Sequence, residues 1–401
     1  MKEARALIET KAALAVAVDL TPLRPDGSHG GLKPALFRLL SEAMEQAGRT
    51  LVFLFLANAA TRDEVRRLAR PQDLLICVEP DGPPPEAPLE FWLPDPPSDF
   101  LRWIGADLLY APLGACSFAC EGVPTVALIA DLLHRDYPLS LTQAQIAERD
   151  SSIMQTLFCA SMIQCASRAG VERLMAHYQV PEEKLFYTYL PMRECREADS
   201  AATDFIQDQG PYFFYPADLW KHKNHETLLL AYRLYREQAG EAAWDLVLAF
   251  HEENRAAELR TLARALGIEP HLHCPGSAPE VWRAFGRHAG ALVFPSLHED
   301  FGFPLLEAMR DGVPILTGPD LFLKEIAGDA AYPLDPRKPE SIASALLKIS
   351  GDPALRASLR SRSRQRLGFF DEKTEARKLL EAWNALSGCP QNAKALEGGA
   401  L

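Results

Sequence analysis

Residues 293–317 read VFPSLHEDFGFPLLEAMRDGVPILT, and the fold turns on how this stretch is parsed. The apolar run GALVFPS (290–296) predicts a buried strand, and residues 297–303 the turn after it. Pro304 suits the first position of a helix, where a missing N–H costs nothing, and Gly312 suits its end. The helix LLEAMRDG then carries Glu307 in its first turn, where a carboxylate offsets the helix dipole. That account leaves Gly302 unexplained. It stands between Phe301 and Phe303, and glycine lets backbone approach a ligand closely. A helix start with open N–H groups binds phosphate, and carboxylates such as Glu299 and Glu307 accept hydrogen bonds from sugar hydroxyls. The stretch fits a ligand that is both phosphorylated and polyhydroxylated.

The same strand–turn–helix order runs through the chain. Apolar runs at 12–19, 50–57, 73–78, 107–112, 125–131 and 162–167 predict one series of buried strands. A second series follows at 212–216, 244–250, 271–275, 290–296 and 314–318. Helical patterns such as 33–48, 141–160, 224–240 and 339–351 intervene. Continuous apolar strands alternating with helices read as parallel sheets covered on both faces. The expectation is α/β, with two doubly wound Rossmann-like domains and a ligand cleft between them. The first domain spans 1–200 and the second 201–370, and a C-terminal helix at about 370–387 packs back on the first. The small, polar stretch around 195–210 is the linker, and 389–401 is a flexible tail. The proline-rich segment 79–100 reads as a rigid exposed loop, either a plain surface insertion or a contact for an acceptor or partner. The first βα turn, DLTPLRPDGSHGGLKPALF, lacks GxGxxG, which argues against a dinucleotide-dependent oxidoreductase.

Bulk properties narrow the partners. A net charge of −12 disfavours binding to nucleic acid through a basic surface. No apolar stretch is long enough to span a bilayer, so membrane association is peripheral at most. The N-terminal apolar run is short and ends in Asp19, a strand rather than a signal peptide, and a cytoplasmic location is the default. Eight cysteines are spread thinly; His271, His273 and Cys274 lie close, yet no second pair at zinc-like spacing accompanies them.

With these residues in view, the chain resembles a GT-B glycosyltransferase of the large retaining family 4, whose members use nucleotide-sugar donors. EDFGFPLLE (299–307) matches the family's Glu-x7-Glu motif. LVFPSLHEDFGFPLLEAMRDGVPILTG and LKEIAGDAAYPLDPRKPESIASALLKI resemble the blocks around and after it. The likeness covers most of 210–386, whereas the first domain is similar only in layout. It implies that Glu299 and the amides of Phe301, Gly302 and Phe303 hold the donor sugar. Glu307 would hold the ribose, and the amides of Leu305 and Leu306 would face the diphosphate. In YPADLWKHKNHETLL (215–229), Lys223 matches the lysine that meets the diphosphate, while Ala217 stands where an Arg or Asn is common. The bland reading of Lys221 and Lys223 is a pair of solvated loop charges. Gly30 and Gly31 resemble the family's N-terminal glycine loop near the donor, or else form a plain turn. In ALIADLLHRDYP (127–138) the usual histidine slot holds Ala130, leaving Asp131 and His134 as the acceptor-side candidates. If the helix begins at Asp131, His134 lies one turn on along the same face; otherwise it is a surface or capping residue.

The resemblance implies retaining, front-face transfer of a hexose from GDP-mannose or a UDP-sugar to an acceptor hydroxyl, with the leaving diphosphate taking the proton. The sequence has no Asp-x-Asp, so the expectation is metal-independent transfer with no cofactor. The phrase around Lys223 leans toward mannosyltransferase-like members. The donor base depends on residues near 251–255 and 274–279. The acceptor stays open among glycan, lipid-linked sugar, protein and small molecule. Ala130 and Ala217 motivate an alternative, a catalytically weak homologue acting as a binding or partner subunit. A phosphorylase or epimerase is a third class, set aside because it lacks this block.

Overall fold

The computed structural model describes residues 14–25, 30–78, 90–93, 96–192, 210–250, 255–275 and 279–388. Expectations for the linker with its boundary at 200, for the tail 389–401, and for much of 79–100, 251–255 and 274–279 fall outside the described residues. Contacts divide the chain into two units. One comprises Met1–Leu132, Gln143–Arg193 and Asp371–Leu401; the other comprises Leu133–Thr142 and Glu194–Phe370.

The first unit is built on one parallel sheet. Its strands are β1 (Leu14–Asp19), β2 (Leu51–Ala57), β3 (Leu74–Cys77), β4 (Glu90–Trp92), β5 (Leu108–Ala111), β6 (Thr125–Ile129), β7 (Met162–Cys165) and β8 (Leu185–Tyr187). They lie in the order β4-β3-β2-β1-β5-β6-β7-β8. Every residue of β1 and β2 is buried, which is why both read as unbroken apolar runs rather than alternating ones. Each such Val, Leu or Phe contributes about 1.5–3 kcal/mol by leaving water. The strand order reverses between β1 and β5, because β1 pairs with β2 on one side and with β5 on the other.

β4 corrects the reading of 79–100 as wholly exposed loop. Phe91 packs on the core and Glu90 is buried, its carboxylate held by Arg66 Nη2 at 2.6 Å and Arg62 Nε at 3.4 Å. This short strand lies at the sheet edge.

The second unit has β9 (Tyr212–Pro216), β10 (Asp245–Ala249), β11 (Leu272–His273), β12 (Ala291–Phe294), β13 (Ile315–Thr317) and β14 (Ala331–Pro333), all parallel. Their order is β11-β10-β9-β12-β13-β14, so the order reverses between β9 and β12. The arginine-rich helix Pro353–Leu367 braces this unit by capping other helices at their carbonyl ends. Arg356 Nη1 donates to Ile349 O and Ser350 O, Arg360 Nε to Gly312 O at 3.0 Å, and Arg366 Nε to Ile326 O at 3.0 Å. A cation at a helix C-terminus satisfies orphan carbonyls and opposes the dipole, so this run of arginines holds the unit's helices together.

Among the described residues, no helix is long and apolar enough to cross a membrane. The helix Glu372–Ser387 lies with the first unit. Gln46 Nε2 donates to Lys373 O at 2.8 Å, Tyr189 N donates to Glu375 Oε2 at 2.8 Å, and Arg38 pairs with Glu372. Trp383 is fully buried, with ring centroids 5.9 Å from Phe53 and 5.1 Å from Tyr110. Trp383→Ala is expected to destabilise the first unit by about 3–5 kcal/mol, the cost of emptying a large aromatic site. Urea unfolding followed by circular dichroism reads this, and a loss under about 1 kcal/mol would make the helix peripheral.

Candidate functional site

In an open parallel sheet, ligands bind beyond the C-terminal strand ends where the order reverses. In the second unit that place lies between β9 and β12, and two loops meet there. Leu297 N donates to His222 O at 2.8 Å, joining the loop after β12 to the loop after β9. Tyr215, fully buried on β9, donates its hydroxyl to Lys223 O at 2.7 Å and accepts from Ser296 Oγ at 3.0 Å. Burial pushes the Tyr215 phenol well above its ordinary pKa, so it remains a neutral donor. His225, also buried, is pushed down to about 4 by desolvation; as a neutral ring, its Nε2 donates to Ala217 O at 3.1 Å. This scaffold brings Lys223 Nζ to 2.6 Å from Glu299 Oε1. Glu299 is buried and Lys223 mostly so, which excludes the reading of Lys223 as a fully solvated charge.

Beside the pair begins the helix Phe303–Asp311, one residue earlier than the sequence suggested, with Gly302 as its N-cap. Gly302 has φ +69°, a left-handed conformation that favours glycine, while a β-carbon there would meet Leu323 Cδ2 only at an ordinary 3.4 Å. The Phe301 and Phe303 rings lie tilted against each other with centroids 4.5 Å apart, and Phe301 is buried against Phe322. Two expectations change. Glu307 becomes the fifth helical residue, half-buried and past the first turn. The Leu305 amide donates to Gly302 O at 2.9 Å and so drops out of the amides expected to face a diphosphate. The Leu306 side chain is fully buried in the core.

The first-unit candidates are less unified. Gly30 has φ +50°, and Gly31 caps the helix Leu32–Ala47. Asp131 forms an ion pair with Arg149 at 3.0 Å. The helical turn Leu133–Asp136 starts after Asp131, so the one-turn relation to His134 does not form. His134 itself is buried, which removes the surface reading, and it is grouped with the second unit.

Several polar residues of the site were not anticipated. Asn224 has φ +64° and is buried, and its carboxamide donates to Pro295 O at 3.1 Å and Pro336 O at 2.6 Å. His298, also buried, has Nε2 3.0 Å from Asp300 Oδ1 and Nδ1 3.7 Å from Asp136 Oδ2. An Asn next to a lysine, opening a helix, was a usable signal for the first; a single histidine in a turn was not. His271 Nδ1 and His273 Nε2 share Asp245, at 3.1 and 2.8 Å. Arg236 Nη1 lies 3.6 Å from Oδ1 of the same carboxylate.

Asp19 ends β1 where the first sheet reverses order. Its Oδ1 accepts from Thr21 N at 3.0 Å and Thr21 Oγ1 at 2.6 Å, while Oδ2 is buried with no hydrogen-bond partner. Burial raises its pKa from 3.8 to about 6. A carboxyl with a raised folded-state pKa contributes full stability below the unfolded value and loses it as pH climbs toward 6. Asp19→Asn is therefore expected to stabilise the protein at pH 7.5 by up to about 3 kcal/mol, with the gain gone at pH 4. Thermal melts across this range read the effect; an unchanged or lower melting point at pH 7.5 would contradict it.

Comparison with known proteins fits this architecture. Residues 198–366 match the family model described as glycosyl transferases group 1. The O-antigen chain mannosyltransferase B of Escherichia coli is 25% identical over 229 residues, covering 52% of this chain and 56% of the relative. The chain thus spans about half the length of this curated relative. The solved structure of WaaG, a glycosyltransferase involved in lipopolysaccharide biosynthesis, superposes with a TM-score of 0.64 at 15% identity, covering 93% of this chain and all of that one. Anabaena Alr3699/HepE in complex with UDP gives 0.67 at 15% identity with the same coverage. Two all-parallel sheets, each with helical crossovers, are the GT-B fold, and residues 198–366 are a glycosyl transferases group 1 domain.

Proposed function

We propose that the protein is a retaining glycosyltransferase that moves a hexose from a nucleotide-sugar donor to an acceptor hydroxyl. The observation that carries this reading is the Lys223–Glu299 pair at 2.6 Å, set at the strand-order reversal beside a glycine-started helix. Lys223 has three donor hydrogens, so it can keep Glu299 in place and still meet a diphosphate. In the proposed reaction Lys223 offsets the charge that grows on the departing diphosphate. Such electrostatic stabilisation is the main source of rate acceleration open to a transferase without a nucleophile. Glu299 and the amides around Gly302 hold the sugar, and Glu307 accepts from the ribose. The acceptor hydroxyl attacks from the face the diphosphate leaves, and the diphosphate takes its proton. No divalent ion is assigned a role.

The likeness to an O-antigen mannosyltransferase favours GDP-mannose and a cell-surface glycan acceptor, and the UDP in the HepE structure keeps UDP-sugars in play. A second reading, a binding homologue with weak catalysis, is favoured by Ala217. Its methyl is buried where members of the family it resembles often carry an Arg or Asn, so Lys223 would act with one fewer phosphate contact.

Incubation with GDP-mannose, UDP-glucose and UDP-N-acetylglucosamine is expected to give transfer or slow donor hydrolysis that persists in EDTA. Glu307→Ala is expected to lower kcat/KM for the donor about tenfold or more, the effect of losing a charged hydrogen bond. Unchanged turnover in that variant would sink the ribose assignment, and loss of turnover in EDTA would overturn metal independence. Calorimetric binding of GDP or UDP without turnover of any donor would select the second reading.

A further inference from the structure

Loops after β9, β12 and β14 lie at the C-terminal rim of the second sheet, and one side chain joins the three. Asn224 belongs to the first loop and directly follows Lys223. Its carboxamide nitrogen has two hydrogens, and both are used. One goes to Pro295 O, just past β12, and the other to Pro336 O, just past β14. Its backbone is left-handed, a conformation that Asn and Gly adopt at least cost. Its carbonyl continues into the helix His225–Ala239 by accepting from Leu228 N at 3.2 Å. The position therefore imposes two separate demands. Glycine would meet the conformational one alone. Aspartate would keep shape and conformation but set a carboxylate against two carbonyl oxygens.

We propose that Asn224 is the positioning residue of the site: its carboxamide fixes the spacing of the three loops and so presets the Lys223–Glu299 pair before a donor arrives. The pair joins residues 76 positions apart, and its two side chains sit on different loops. Tyr215 holds Lys223 and Ser296 from beneath by their backbone and hydroxyl groups. Asn224 is the group that ties both loops to the third. Preset polar groups do not have to be ordered when the ligand binds, which is how a fixed loop geometry becomes affinity. The assignment of a nucleotide ligand rests on the transferase reading above; the geometric part does not.

The test uses the full chain with Asn224→Gly and Asn224→Asp. Crystal structures are expected to show Lys223 Nζ and Glu299 Oε1 no longer within hydrogen-bond distance. Calorimetry with GDP and with UDP is expected to show affinity lowered about tenfold or more in both variants, while both keep a cooperative folded transition, with the larger fall in melting midpoint in Asn224→Asp. Retention of the ion pair in Asn224→Gly, with nucleotide affinity within twofold of the parent, would show that only the backbone conformation matters and would overturn the proposal. Collapse of the folded transition in both variants would assign the carboxamide to stability alone and overturn it equally. A parent that binds neither nucleotide counts against the transferase reading, and the crystallographic distance in the variants still decides the positioning role.

Discussion

The ion pair between Lys223 and Glu299 is the contact on which the site depends, and it exists only because β9 and β12 are neighbours. Their adjacency is a property of the strand order, β11-β10-β9-β12-β13-β14. The chain builds outward from β9 on one side, returns, and builds outward on the other. The loops leaving β9 and β12 therefore start side by side, where Leu297 N donates to His222 O, and lead into connections that build opposite halves of the sheet. A lysine on one root and a glutamate on the other become partners at 2.6 Å although 76 residues separate them. Neither residue has a local reason to be where it is; both are placed by the sheet.

Holding that pair in a protein interior requires other polar groups to be satisfied, since an unpaired buried polar atom costs more than a formed hydrogen bond returns. The second unit meets this with neutral groups. Tyr215, Asn224 and Ser296 are buried with defined partners, and buried His225 is held through Nε2 while its Nδ1 has none. Burial drives Tyr215 and His225 further into their neutral forms, so these two groups give the ion pair's surroundings direction without adding charge. The first unit behaves differently at its own strand-order reversal. Asp19 is kept buried with one oxygen unpartnered, and burial raises its pKa.

The C-terminal motif was legible because its signals are local. A proline near a helix start, a glycine at its end and a glycine between two aromatics each reflect one residue's backbone limits, and the helix Phe303–Asp311 follows them to within a residue. Buried strands were legible because parallel strands covered on both faces leave unbroken apolar runs. The short edge strands β4, β8 and β14 were not, since three residues at a sheet edge produce no periodicity. The first-unit site was hardest to read. Asp131 and His134 are three residues apart in sequence, yet the helical turn starts between them, and they are grouped with different units.

Residue chemistry and backbone preference, which act over a few positions, are carried by the sequence itself. It alone determined two series of buried strands, the strand–turn–helix at 290–312, and carboxylates and a lysine suited to a phosphorylated sugar. Tertiary structure decided which of these groups meet. It paired Lys223 with Glu299 and gave Asn224 two carbonyls from loops far along the chain. The reason is geometric. A hydrogen bond needs its atoms within about 3 Å, and at long sequence separation only the order and register of strands can deliver that.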